Sequence, residues 1–136
     1  MAKQLIYISM LFGIIYSQQT LSLLPIEGTN ISEAVRLASY NKLETALIES
    51  GRFKVIEKAK RDEILKEQKD QWSGCFEDSC IIEIGKLLGA THLIMGDIIA
   101  LGKFYQINIK IIDIEKGVVI EKVTNETLGT ELDLLT

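Results

Sequence analysis

Glu83, His92 and Asp97 are the residues whose types could do chemistry in this chain. Glu83 and Asp97 are the acids in the most strongly apolar surroundings, and His92 is the one histidine. Two carboxylates are the minimal set for general acid–base work. Neither comes with a nucleophile, and each also reads as a solvent-facing position on an amphipathic element. A serine–histidine–acid arrangement would have to use His92, and no serine elbow motif accompanies it. A phosphate-binding GxxxxGK[ST] loop is absent, as is a dinucleotide glycine fingerprint after a strand. The pattern assigns no catalytic residue and no cofactor, and the chain is read as a non-enzyme.

Cys75 and Cys80 form the second constellation, in SGCFEDSC. A tetrahedral zinc site needs more ligands than two cysteines and the distant His92, so no metal is assigned. An even cysteine count in an exported chain favours a disulfide. Closing so small a loop is worth roughly 2 kcal/mol. Trp72 and Phe76 lie in the same loop and are the candidate partner-binding residues. A tryptophan so placed more often covers the edge of the core, and that packing reading is the favoured one for Trp72. The glycosylation patterns at Asn30-Ile-Ser32 and Asn125-Glu-Thr127 are too short to carry weight.

The disulfide expectation rests on export, and export rests on residues 1–17. Lys3 is followed by an apolar run over 5–16 without the alternation of a half-buried strand. That run is short against the about 20 residues of a spanning helix and suits a signal-peptide core. Ser17 is a plausible small residue before the cut, although Ile15 fits poorly. No cysteine follows the run, so a lipid-modified N-terminus is not expected. The expected location is periplasmic or outer-membrane-associated, with no transmembrane span in the mature chain.

The elements that must position these residues follow from periodicity. The chain has 136 residues, 47% hydrophobic and 25% charged, with a formal charge of −4. That is one ordinary globular domain, 18–136, and its charge does not favour nucleic acid. Residues 21–27 read as a strand, turned by Gly28-Thr29-Asn30. Ser32 or Asn30 caps an amphipathic helix to about Glu49. A short strand over 53–57 follows. The charged helix over 60–69, KRDEILKEQK, reads as a solvated face with one apolar edge at Ile64 and Leu65. Residues 81–88 repeat apolar positions at helical spacing and stop at Gly89, where a left-handed cap favours glycine. Two Ile-rich strands meet at Gly102-Lys103, and a third runs over 118–127 after a turn at Gly117. Residues 129–136 can open a further helix. The expected fold class is α/β: a mixed four- to five-stranded sheet with helices packed on it, in the order strand, helix, strand, helix, helix, three-strand meander.

Three segments carry a resemblance: GRFKVIEKAKRDEILKEQKDQWSGC, CIIEIGKLLGATHLIMGDI and YQINIKIIDIEKGVV. Together they resemble the periplasmic domain of the curli-secretion CsgG family, which is similar in turn to the activator lipoproteins of penicillin-binding proteins. The resemblance covers about residues 20–128. It implies a cell-envelope protein acting through protein–protein contacts in assembly or secretion, with envelope proteins or further copies of itself as partners. The pore-forming members are lipoproteins and insert membrane-spanning hairpins, whereas the connections here are tight turns. The chain also lacks the closing helix of that family, so a truncated or minimal member is expected. Activation of a cell-wall synthase is the alternative that the resemblance implies. A small-ligand binder or enzyme using Glu83, His92 or Asp97 is the alternative that the residues imply. The expected contact surfaces are the sheet edge over 118–127 and the loop with Trp72 and Phe76.

Overall fold

Apolar alternation and two chain-breaking residues account for most of the architecture. The computed structural model describes residues 18–67 and 78–135. The elements are β1 (Thr20–Leu23), β2 (Glu27–Thr29), α1 (Glu33–Glu49), β3 (Lys54–Ile56), α2 (Lys58–Lys66), α3 (Asp78–Leu88), β4 (His92–Leu101), β5 (Phe104–Asp113) and β6 (Val118–Leu128), followed by a 3-10 turn over Glu131–Leu135. They form one mixed six-stranded sheet in the order β3-β1-β4-β5-β6, with β2 beside β4. β1 runs parallel to β3 and β4, while β4, β5 and β6 form the antiparallel meander. The α/β class and the element order match expectation, with β2 as an added short strand.

Pro25 explains that addition. It has no N–H to give to a ladder, so the expected strand over 21–27 breaks there. Leu21 to Leu23 pair with His92 to Ile94, and Glu27 to Thr29 pair with Asp97 to Ile99. β1 and β2 therefore track one neighbour, offset by one residue across the break. Gly28 lies in a strand, not in the expected turn. The α1 start is as expected: the Ser32 side chain accepts from the Val35 N–H at 3.3 Å. α3 ends where Gly89 takes φ +67°. Where a further helix was expected, Glu131–Leu135 form a 3-10 turn and not an α-helix.

Side chains of successive strand residues point to opposite faces, and each face has its own core. Leu21, Leu23, Ile94 and Ile98 are buried under α1, together with Tyr40 of that helix. Ile81, Ile84, Leu88, Leu93, Ile112 and Ile114 are buried on the other face, with Ile64 and Leu65 of α2 packed beside them. The helices thus sandwich the parallel half of the sheet. The antiparallel half reaches past them, and nearly every residue of β6 is exposed. Among the described residues no helix is long and apolar enough to cross a membrane.

Candidate interaction surface

The residues first considered for chemistry do not converge. Glu83 is exposed on α3. Asp97 sits mid-sheet on β4, where Asn108 Nδ2 donates to its Oδ2 at 2.8 Å. His92 lies at the start of β4, with Nδ1 3.0 Å from Thr91 Oγ1 and Nε2 3.9 Å from Asp113 Oδ2. The Thr91 hydroxyl donates to the Thr20 carbonyl at 2.9 Å, so the imidazole has no hydroxyl proton to take. His92 faces Asp113 where the ends of β4 and β5 pair. Among the described residues no group of His, Cys, Asp and Glu could hold a metal. Cys80 lies in the first turn of α3. Its expected partner Cys75, the candidate contacts Trp72 and Phe76, and the signal segment 1–17 lie outside the described residues.

One charge on α2 corrects the solvated-face reading. Arg61 is only 2% exposed. Its Nη1 donates to the Leu23 carbonyl at 2.5 Å and to the Tyr40 hydroxyl at 2.8 Å. Nη2 reaches Asp62 Oδ1 at 2.6 Å, and the guanidinium lies 5.1 Å from the Tyr40 ring centroid. The Tyr40 hydroxyl donates to Glu44 Oε1 at 3.0 Å, and the same oxygen accepts the Lys58 N–H that opens α2. Glu44 supplies the N-terminal partner that the Glu57 side chain does not. Leu23 sits at the carboxyl end of β1, where an open α/β sheet has its crevice, and here the side-chain network lines a cleft of about 360 Å³ together with Pro25, Glu33 and Arg36. Burial pushes the Tyr40 phenol above its ordinary range, opposed by the Arg61 charge and reinforced by Glu44. Partial burial alone would raise the Asp62 carboxyl, but hydrogen bonds from Arg61 and Lys58 more than reverse that and lower it. The sequence signal was present: Arg61 lies three and four positions before Ile64 and Leu65, on the same helix face.

The face that α2 and α3 leave open has the geometry of a contact surface. Directly opposed residues share a face, so the ladder registers give its rows. At the covered end, Leu93 faces Ile112, which faces Val119. Next come Met95, Lys110 and Lys122, then Asp97, Asn108 and Thr124. The last of these rows is hydrogen-bonded, with the Thr124 hydroxyl donating to Asn108 Oδ1 at 2.9 Å. The outermost row is Leu101, Phe104 and Leu128, exposed by 58%, 53% and 66%. Three large apolar side chains side by side at one sheet end form a patch of the kind that marks a protein contact. The tight turn at Gly102-Lys103 was the signal, because it pairs Leu101 with Phe104. A separate apolar cleft of about 290 Å³ lies under α1, lined by Ile26, Leu43, Ala46, Ile98, Ile107 and Leu134 among others.

Comparison with known proteins bears on what such a surface meets. Residues 37–129 match the family model described as peptidoglycan-synthase activator LpoB. The LpoB C-terminal domain from Salmonella enterica superposes with a TM-score of 0.65 at 11% identity, over 93% of this chain and 94% of that one. The same domain from Escherichia coli gives 0.66 at 14% identity, over 89% and 92%. Lipoprotein GNA1162 from Neisseria meningitidis gives 0.61 at 11%, over 82% and 81%. At these identities the structures establish the shared fold alone. No curated protein matches the chain in sequence. The family match corrects the resemblance drawn from sequence: the matching model describes synthase activators, not the curli-secretion proteins. The CsgG-like assembly or secretion role falls with it, and the alternative of a cell-wall synthase activator fits better.

Proposed function

The chain belongs to the LpoB family of peptidoglycan-synthase activators, and on that premise we propose that it stimulates a cell-wall synthase by binding it, without catalysing a reaction itself. The observation that carries the reading is the family match over 37–129. The fold supports it by offering an uncovered sheet face with an apolar row at its end. The contact we assign is the row Leu101, Phe104 and Leu128, whose burial on a partner would remove large apolar surfaces from water.

The location that goes with this role is the envelope, reached through the signal segment 1–17. In that oxidising compartment Cys75 and Cys80 pair, which a mass deficit of two hydrogens under non-reducing conditions would reveal. The test of function is glycan polymerisation by a purified synthase with and without the purified chain. Stimulation is expected, and Phe104→Ser should reduce it about tenfold or more, as loss of a buried aromatic anchor does. Phe104 is half-exposed, so the variant should keep its unfolding midpoint. No stimulation of any purified bifunctional or monofunctional synthase from the same organism would overturn the reading.

A further inference from the structure

The outer edge of β6 makes a second contact, independent of the synthase reading. β6 is an 11-residue strand paired on one side only, to β5, and no other described strand meets its outer edge. Long free edges are templates for further pairing, and proteins normally blunt them with charges or bulges. Both devices are present here, and neither blocks one particular partner. The bulge falls at Ile120: Ile111 faces Glu121 and Ile112 faces Val119, leaving Ile120 without an opposite. The regular segment is therefore Glu121 to Leu128. Its charges are Glu121, Lys122 and Glu126. Inside the fold Lys122 faces Lys110, and Glu126 faces Gln106. Among the described residues neither Lys122 nor Glu126 has an ion-pair partner.

We propose that β6 pairs antiparallel with β6 of a second copy, about a two-fold axis at Thr124, to form one continuous sheet through two molecules. A two-fold axis normal to the sheet restricts such pairing to registers centred on a residue, since opposed side chains must share a face. Centring on Glu121 or Lys122 sets identical charges face to face. A centre at Val123 leaves Glu126 against the bulged Ile120 and pairs no charges. With the centre at Thr124, Lys122 lies opposite Glu126 twice, Val123 lies opposite Asn125, and Glu121 lies opposite Thr127. This register uses the regular segment as far as Thr127 and leaves the bulge outside. It also gives Lys122 the carboxylate that Lys110 denies it. The edge charge that would repel other strands selects this one.

Charge swaps and a crosslink test the register. Sedimentation of the full chain should show a monomer–dimer equilibrium. Lys122→Glu and Glu126→Lys each place two like pairs in the dimer and should weaken it roughly tenfold. The double swap restores opposite charges and should bring the constant back to within about threefold. Thr124→Cys opposes itself at about 4.5–5.5 Å between Cα atoms, within disulfide reach. Under oxidation it should form a covalent dimer, identified by the mass of two identical disulfide-linked peptides spanning position 124. Lys122→Cys would lie about 14 Å from its copy and should not link. A monomer at millimolar concentration, a double swap no tighter than the single ones, or equal crosslinking at 122 and 124 would each overturn the proposal.

Discussion

Arg61 shows how much a single buried charge can organise. Its guanidinium closes the carboxyl end of β1 by holding the Leu23 carbonyl and the Tyr40 hydroxyl together. Arg61→Ala would take the guanidinium donor from both, leave the Leu23 carbonyl only the Tyr40 hydroxyl at 3.3 Å, and open a void. Each unsatisfied buried group costs about 1–3 kcal/mol, so a loss of about 3 kcal/mol is expected in urea unfolding. Arg61→Lys keeps the charge but loses the planar fork and should recover only about half. Full recovery by lysine would mean that charge alone matters and the fork does not. The neighbours add pH dependence of opposite signs. Tyr40 is held neutral in the fold, so its contribution is complete below the unfolded value of about 10 and is lost as pH rises beyond it. Tyr40→Phe should therefore flatten the fall in stability above about pH 10, and parallel curves for the two proteins would refute this. Asp62 is lowered in the fold, so its contribution is present above the unfolded value of about 3.9 and is lost as pH falls below it. Its carboxyl is half-exposed, so solvent screens the effect and Asp62→Asn should soften the acid limb only modestly.

At the scale of elements, what the sequence made legible depended on whether local chemistry decided the outcome. Ser32 capping, the Gly89 stop and the Gly102 turn are written in a few adjacent residues and appear where expected. Pro25 was equally local, but its consequence was not: the break becomes a second strand only because β4 is long enough to accept Glu27 to Thr29. The sides of the sheet were also hidden. Alternation shows that Leu93 and Ile94 face apart, but not that α1 takes one face and α3 the other. Gly85 lies at that second contact. A methyl group there would overlap the Ile114 side chain at Cδ1 and Cγ1. Alanine in place of glycine would otherwise favour the helix by about 1 kcal/mol. The clash should outweigh this, since overpacking costs typically about 1–3 kcal/mol. Gly85→Ala is expected to lower stability, and Ile114→Ala in the same chain should return part of the loss. If Gly85→Ala stabilises the protein alone, α3 does not sit this close to the 114 position.

The whole molecule divides its work between the two halves of its sheet. Helices cover both faces where β3, β1 and β4 run parallel, and the fully buried Leu23 and Leu93 lie there. β5 and β6 carry the antiparallel half outward, with the apolar row at its tip and the free edge along its side. A contact surface placed beyond the core can bind without disturbing what holds the fold. The sequence could not reveal this division, because Leu101, Phe104 and Leu128 look like core residues when read along the strand. Only the reach of the helices leaves them outside. The two halves should therefore fail separately. Leu93→Ala removes a fully buried side chain and should cost about 2–5 kcal/mol in denaturant unfolding. At low temperature, where it stays folded, its stimulation of the synthase should match the parent molecule for molecule. Phe104→Ser should change stability by less than about 0.5 kcal/mol and still lose stimulation. Were Leu93→Ala to lose stimulation while folded, the core would be coupled to the surface, and activation would depend on the shape of the whole sheet and not on a patch at its tip.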